Sequence, residues 1–212
     1  RTVLGAAACK SDNDHNESFG WTAVNMTAKV FLLRLRHATW PPGQRHAAKT
    51  AIIANSWKMM LTIRASREED LPAITAIYRH HVLNGTGTFE IDPPTEADMR
   101  LRRADVLGKG LPYLVAERQG EGDGEGDGEG SGEILGYAYC NWFKPRPAYR
   151  FSAEDSIYIS DAARGQGLGR QLLDALCVAA EQAGVRRLLA MIGDSANAGS
   201  IGVHRAAGFS DV

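Results

Sequence analysis

The chain has 212 residues, with 24 Lys and Arg against 25 Asp and Glu and a formal net charge of −1. This balance predicts one domain with additional segments and excludes the strongly basic composition that is typical of nucleic-acid binders. Every apolar run is shorter than the roughly 18 residues that a membrane-spanning helix requires. Cys9, Cys140 and Cys177 lie far apart, which argues against a disulfide framework or a metal site and favours the reducing cytoplasm.

Residues 1–58 show no clear periodicity, whereas a strand-like run begins just after Met59 and Met60. We predict that residues 1–58 are a leader outside the domain, disordered or not part of the native protein, and that residues 59–212 form the domain. An organelle-targeting extension is the alternative. The arginines of the segment favour a targeting role, and its acidic residues oppose one.

Strand-like and helix-like patterns then alternate along the chain. Strands are predicted over residues 61–64, 111–117, 134–143, 152–159 and 187–192. Helices are predicted over residues 66–84, 95–107, 167–183 and 197–207. Ser66, followed by Glu69, predicts a capping box at the first helix. Several strands with crossover helices predict a three-layer α/β fold.

Glycine alternates with acidic residues between the second and third predicted strands. Such a tract cannot bury apolar surface, so residues 119–133 are predicted to form a flexible, solvated loop. A calcium site is the alternative, but the acidic spacing does not match an EF-hand.

A glycine-rich turn stands between the fourth predicted strand and a helix with an apolar face. Glycine permits φ > 0, and the first turn of a helix presents unpaired N–H groups, so this order predicts a phosphate-binding turn. The residues after the last glycine exclude a P-loop, and the glycine spacing does not match a dinucleotide fingerprint. The turn consists of Arg164, Gly165, Gln166, Gly167, Leu168, Gly169 and Arg170.

The pattern [RQ]-x-x-G-x-[GA], met by Arg164, Gly167 and Gly169, resembles the acetyl-CoA pyrophosphate loop of the GCN5-related N-acetyltransferase (GNAT) superfamily. The Lys-Pro-Arg-Pro-Ala-Tyr-Arg segment at 144–150 and the Ala-Glu-Asp-Ser segment at 153–156 resemble the phosphinothricin N-acetyltransferase family within it. Further similar blocks lie at residues 62–73, 87–90, 111–117, 136–142, 185–197 and 200–209.

The resemblance implies a GNAT fold whose central sheet is mixed and mostly antiparallel. It also implies acetyl-CoA as co-substrate and a small amino-acid acceptor such as phosphinothricin or methionine sulfoximine, and with them herbicide resistance. Neither a metal, a nucleic acid nor a membrane is implied, and a homodimer is expected. In the superfamily the strand after Gly208 and Phe209 pairs with one more strand, which we predict to be missing before Val212.

Three side chains are the candidates for acid–base chemistry. Glu154 lies two residues before the run 156–159 that leads into the glycine-rich turn, and the resemblance makes it the general base. Asp155 should point to the opposite face of the strand. His204 is either a neighbour of the substrate amine or a structural residue. Tyr158 is either the acid that protonates the leaving thiolate or a core aromatic.

The resemblance also assigns binding residues. The backbone of Ile157, Tyr158 and Ile159 is expected to pair with the pantetheine amides. Asn197 and Ser200 are expected to contact pantetheine, although Asn197 is equally explained as a helix N-cap. Expected acceptor-binding residues are Phe89, Lys144, Arg146, Tyr149 and Arg150, because arginine binds carboxylate and phosphinate groups bidentately. Alternatively, Phe89 belongs to the core and the other four residues to a solvated basic loop.

Two other functions stay open from the sequence. One is acetyl transfer to a different amine, a polyamine or a protein N-terminus. The other is a truncated, non-catalytic acyl-CoA-binding module.

Overall fold

The computed structural model of the chain describes residues 29–35, 61–119 and 132–212. Most of the predicted glycine–acid loop, residues 120–131, lies outside the described residues, as do residues 1–28 and 36–58 of the predicted leader and residues 59–60.

The described residues form one seven-stranded sheet and four α-helices. The strands are β1 (Lys29–Arg34), β2 (Leu61–Ala65), β3 (Tyr113–Arg118), β4 (Glu133–Trp142), β5 (Ser152–Ile159), β6 (Arg187–Ile192) and β7 (Ser210–Asp211). The helices are α1 (Leu71–Asn84), α2 (Glu96–Gly108), α3 (Leu168–Gln182) and α4 (Ala198–Ala206).

The sheet has the order β2-β3-β4-β5-β6-β1-β7. All neighbours are antiparallel except β5 and β6, which run parallel. The prediction of a mixed, mostly antiparallel sheet is therefore confirmed. The parallel pairing joins Ser152 through Asp155 to Arg187 through Ala190 and stops there. Beyond that point β5 stays paired with β4 and β6 with β1, so the two strands separate.

Helices cover the sheet in two pairs, α1 with α2 and α3 with α4. Successive side chains of a strand point to opposite faces. On one face Tyr78 of α1 contacts the ring of Tyr158 edge-on, with ring centroids 4.9 Å apart. In the other helix pair, α3 lies so close to α4 that a Cβ at Gly169 would come within 3.4 Å of Val203. This arrangement confirms the three-layer α/β fold.

The first helix starts later than predicted, and the Ser66–Glu69 capping box is wrong. Helix α1 begins at Leu71 after a short 3-10 turn. The Asp70 carboxylate accepts the backbone N–H of Arg67 at 2.6 Å. The Ser66 hydroxyl instead accepts a hydrogen bond from Arg103 at 2.8 Å. The contact with Arg103 has therefore replaced the predicted cap at Ser66. The spacing of Ser66 and Glu69 in the sequence could not reveal that contact, because Arg103 lies on another helix.

Strand β1 belongs to the sheet, although the sequence placed it in the leader. It pairs along its whole length with β6 and, through two residues, with β7. Phe31 is fully buried in the core. The prediction that residues 1–58 lie outside the domain therefore does not hold for Lys29–Arg34. The resemblance predicted that β7 would have a further strand as its neighbour, and β1 lies at that position.

Candidate active site

A cavity of about 230 Å³ lies where β5 and β6 separate. Side chains of β5 and β6 form its walls, and α4 and the segment after α1 close it. The lining comprises Tyr78, residues 87–90, 154–158 and 190–193, Asn197, Ser200 and His204. The gap between the strands exposes residues of both faces of β5 to one cavity.

Glu154 lines this cavity and is partly buried. Burial raises the pKa of its carboxyl above the usual 4.5, and the neighbouring charge of Asp155 adds to the increase. A carboxylate with a raised pKa accepts a proton more readily at neutral pH. The predicted general base is thus placed at the cavity with suitable electrostatics.

Tyr158 lines the cavity and is also part of an aromatic cluster. Its ring packs against those of Tyr78, His81 and Tyr137, with centroid separations of 4.9, 5.3 and 5.2 Å. Burial holds the pKa of the Tyr158 hydroxyl well above 10, so the hydroxyl stays protonated. Both interpretations of this residue, core aromatic and proton donor, agree with its position.

Asp155 and His204 form a buried pair at the cavity. His204 Nε2 lies 3.0 Å from Asp155 Oδ2, and the side chains are 3% and 1% exposed. His204 Nδ1 lies 2.7 Å from the carbonyl oxygen of Ser200. Asp155 is hydrogen-bonded to His204 of α4 on one face of the sheet, and Tyr158 contacts Tyr78 of α1 on the other face. The two residues are three positions apart, so alternation along the strand places them on opposite faces.

Burial and pairing shift both pKa values. Burial raises the pKa of Asp155, and the hydrogen bond to His204 only partly reverses that. For His204, burial lowers the pKa, but the hydrogen bond and charge of Asp155 outweigh it, so the pKa lies above 6.5.

The glycine-rich turn has the backbone that its sequence predicts. Gly165 and Gly167 have φ values of +73° and +78°, and Gly167 is the N-cap of α3. At both positions a Cβ would meet no atom within 4 Å. Glycine is therefore required by conformation rather than by crowding.

The remaining residues of the turn contact neighbouring residues or helix α4. Arg164 pairs with Asp161 at 2.9 Å, and Gln166 donates to the carbonyl oxygen of Ala162 at 2.8 Å. Arg170 pairs with Asp174 and donates to the carbonyl oxygen of Ala206. Leu168 is buried in the core and Gly169 packs on α4. Residues 164–170 do not line the described cavity; they follow the strand that does.

Most of the residues predicted to contact pantetheine lie at the cavity. Ile157, Tyr158, Asn197 and Ser200 line the cavity. The Asn197 Oδ1 accepts the Ser200 N–H at 3.1 Å, so Asn197 is the N-cap of α4. The carbonyl oxygen of Ile159 lies 3.0 Å from His81 Nε2.

Only one of the predicted acceptor-binding residues lies at the cavity. The Phe89 ring lies against Gly193, where a Cβ would come within 3.0 Å of it. Lys144 Nζ instead sits 5.0 Å from the centroid of Phe143. In the described part of the chain, the cavity lining does not include Lys144, Arg146, Tyr149 or Arg150.

Sequence reasoning missed several cavity residues between α1 and α2. The Tyr78 hydroxyl lies 2.9 Å from Thr88 Oγ1, which ties the segment 87–90 to α1. Glu90 accepts two hydrogen bonds from Arg102, at 2.7 and 3.2 Å. The Gly-Thr-Phe-Glu block was part of the resemblance and was the available signal for this wall.

Two features are absent from the described residues: a metal-binding cluster and a membrane-spanning helix. No group of three or more His, Cys, Asp or Glu side chains there is arranged to hold a metal ion. Among the helices of residues 29–35, 61–119 and 132–212, none is long and apolar enough to cross a membrane.

Comparison with known proteins supports the same interpretation. The acetyltransferase (GNAT) family matches residues 76–209. A phosphinothricin N-acetyltransferase of Alcaligenes faecalis is 51% identical over 148 residues, which are 70% of this chain and 69% of that protein. An L-methionine sulfoximine/L-methionine sulfone acetyltransferase of Pseudomonas aeruginosa is 37% identical over 151 residues, 71% of this chain and 81% of that protein.

A solved structure has the same fold. The phosphinothricin acetyltransferase of Sinorhizobium meliloti, crystallised with acetyl-CoA, superposes with a TM-score of 0.62 at 45% identity. The match covers 72% of this chain and 76% of that one. With a matching fold and sequence, the chain belongs to the acetyltransferase (GNAT) family and is an N-acetyltransferase similar to the phosphinothricin N-acetyltransferases.

Proposed function

We propose that the protein transfers the acetyl group of acetyl-CoA to the amino group of a small amino acid such as phosphinothricin or methionine sulfoximine. The observation that carries this proposal is Glu154, a carboxyl group with a raised pKa in a small cavity between separated strands. The names of the similar proteins supply the acceptor class.

The residues that would hold acetyl-CoA have the chemistry it needs. The β5 residues beyond Asp155 have no β6 partner. Apart from the Ile159 carbonyl oxygen, which lies beside His81 Nε2, backbone groups on that edge are therefore available to the amides of the pantetheine arm. The glycine-rich turn and the first N–H groups of α3 supply donors and a positive dipole end for a pyrophosphate. This is the site at which we place the co-substrate.

In the reaction we propose, Glu154 takes a proton from the acceptor ammonium, directly or through a water molecule. The freed amine nitrogen attacks the thioester carbonyl carbon and the new C–N bond forms. The nitrogen then releases its second proton to solvent as the C–S bond breaks, which leaves the amide. Tyr158 donates its hydroxyl proton to the departing thiolate and is reprotonated from solvent. Holding both reactants in one cavity removes much of the entropic cost of their encounter.

The acceptor should approach with its amine toward Glu154. Of the acidic side chains that line the cavity, Glu90 pairs with Arg102 and Asp155 pairs with His204, so Glu154 is the acid whose charge these pairs leave uncompensated. The described lining contains neither Lys nor Arg. This lining favours a cationic group in the cavity. It also makes a polyamine a second candidate acceptor, because the basic loop around Arg146 lies outside the cavity lining and would not repel a polycation there.

The test is a free-thiol assay on the full chain with acetyl-CoA and L-phosphinothricin, L-methionine sulfoximine or spermidine. Glu154→Gln should lower kcat by about 10²–10⁴-fold, the usual contribution of a general base. Glu69→Gln, at an exposed glutamate (68% exposed) outside the cavity, is the matched control and should keep the wild-type rate.

The outcomes separate the acceptors. Turnover with the two amino acids alone supports the proposal, whereas turnover with spermidine alone establishes the second candidate. Wild-type turnover that Glu154→Gln retains would contradict the role of the base. The pH dependence gives a further check: because the pKa of Glu154 is raised, kcat/KM should rise through a midpoint above pH 4.5.

A further inference from the structure

The hydrogen bonds of His204 determine how many protons the buried pair carries. The carbonyl oxygen of Ser200 can only accept, so the Nδ1 atom 2.7 Å away must carry a hydrogen. Between Nε2 and Asp155 Oδ2, 3.0 Å apart, one further hydrogen is needed. This second hydrogen resides on the imidazole or on the carboxyl. In either case the pair holds one proton more than a neutral imidazole with a carboxylate, and it has no net charge.

No other neighbour in the described structure can compensate Asp155. Its Oδ1 atom is buried without a hydrogen-bond partner. The ionisable groups around it are Cys140 on β4 and Cys177 on α3, besides His204 on α4, and Glu154 is its neighbour along the strand, on the other face. Burial raises the thiol pKa values to about 12, so both cysteines stay neutral. Only His204 can supply the proton.

Asp155 is also next to the proposed base. An uncompensated negative charge beside a carboxyl group opposes its ionisation. If the pair lost its proton, Asp155 would be an anion of this kind, and Glu154 would stay protonated to a higher pH. A protonated Glu154 cannot accept the amine proton.

We propose that His204 is a positioning residue that holds one proton against Asp155 at the base of the cavity, neutralises that carboxylate and thereby keeps Glu154 able to ionise. This inference rests on the proposed function, because it assumes that Glu154 is the base. It gives His204 a role other than direct contact with the amine, since both of its ring nitrogens are already engaged.

The proton itself can be observed without turnover. The ring nitrogens of His204 and the carboxyl carbon of Asp155 are followed by NMR of the labelled full chain, and the His204→Gln spectrum assigns the ring. Neither group should titrate between about pH 6 and pH 8, although an ordinary histidine loses its proton near 6.5. In Asp155→Asn the amide cannot share the proton, so the ring should become singly protonated. Loss of the wild-type proton near pH 6.5 overturns the proposal.

The effect on the base is read from pH profiles of kcat/KM. His204→Gln should move the acidic limb upward by roughly one pH unit, because Asp155 is left as an uncompensated charge. Adding Asp155→Asn in that background should return the limb to its wild-type position. His80→Asn, whose ring pairs with Asp161 outside the cavity lining, is the matched control.

A purely structural role would lower kcat without moving the limb, and an unmoved limb in His204→Gln therefore overturns the proposal. If His204→Gln fails to fold, the NMR titration of the wild type and Asp155→Asn still decides. If the wild type acetylates no acceptor, the proposed function fails while the NMR experiment still tests the buried pair.

Discussion

The pKa values of individual residues at the cavity depend on burial and on the side chains packed against them. Glu154 could be selected from the sequence because its segment resembles a family motif, and alternation along the strand already separated it from Asp155. The partner of Asp155 could not be predicted in this way. His204 lies 49 positions further along the chain, and only the packing of α4 over β5 brings the two together.

The Asp155–His204 pair should make stability depend on pH. The pKa of His204 is raised in the folded state, so its stabilisation is complete below the unfolded value of 6.5 and is lost as pH rises through the folded pKa. Above pH 6.5 the folded chain holds a proton that the unfolded chain has released. The free energy of unfolding should then fall by at most about 1.4 kcal/mol for each pH unit.

The measurement is urea unfolding of the wild type and Asp155→Asn at several values between pH 6 and pH 9. The comparison uses the difference between the two proteins, because the lowered pKa of partly buried His81 contributes with the opposite sign in both of them. The advantage of the wild type should shrink as pH rises, and a constant difference would contradict this assignment.

At the scale of single elements, a substitution in the glycine-rich turn tests whether acetyl-CoA binds there. Gly167→Ala places a side chain at φ +78°, which costs about 1–2 kcal/mol for an L-residue without creating a clash. We expect a several-fold higher KM for acetyl-CoA, because the backbone donors shift. Gly202→Ala, inside α4 and equally free of contacts, is the control and should be neutral or slightly stabilising. Equal KM values for both variants would remove the turn from the binding site.

Strand β1 is the element whose place most depends on tertiary contacts. It pairs with Ala190, Met191 and Ile192 of β6, which line the cavity, so it holds the outer edge of that strand in the sheet. Phe31→Ala removes a fully buried ring and should lower the free energy of unfolding by about 3–5 kcal/mol. Arg34→Ala, at an exposed position of the same strand, should change it by less than about 0.5 kcal/mol.

Urea denaturation of the two variants checks this expectation, and a Phe31→Ala protein as stable as Arg34→Ala would falsify the docking of β1. The sequence did not identify β1 because a short apolar run with arginines resembles a targeting segment as much as a strand. Burial between β6 and β7, rather than local periodicity, decides its structure.

For the whole molecule, the sequence determined the family, the order of elements from residue 61 onward and the identity of the candidate base. These features depend on local patterns: alternation, helical periodicity, and glycines that permit φ > 0. Only the tertiary structure decided that the cavity opens where β5 and β6 separate, that Asp155 pairs with His204 and that β1 completes the sheet. It also left the basic segment around Arg146 outside the cavity lining. The physical reason is that burial and pairing across the sheet join residues far apart in the chain, and no local pattern encodes those distances.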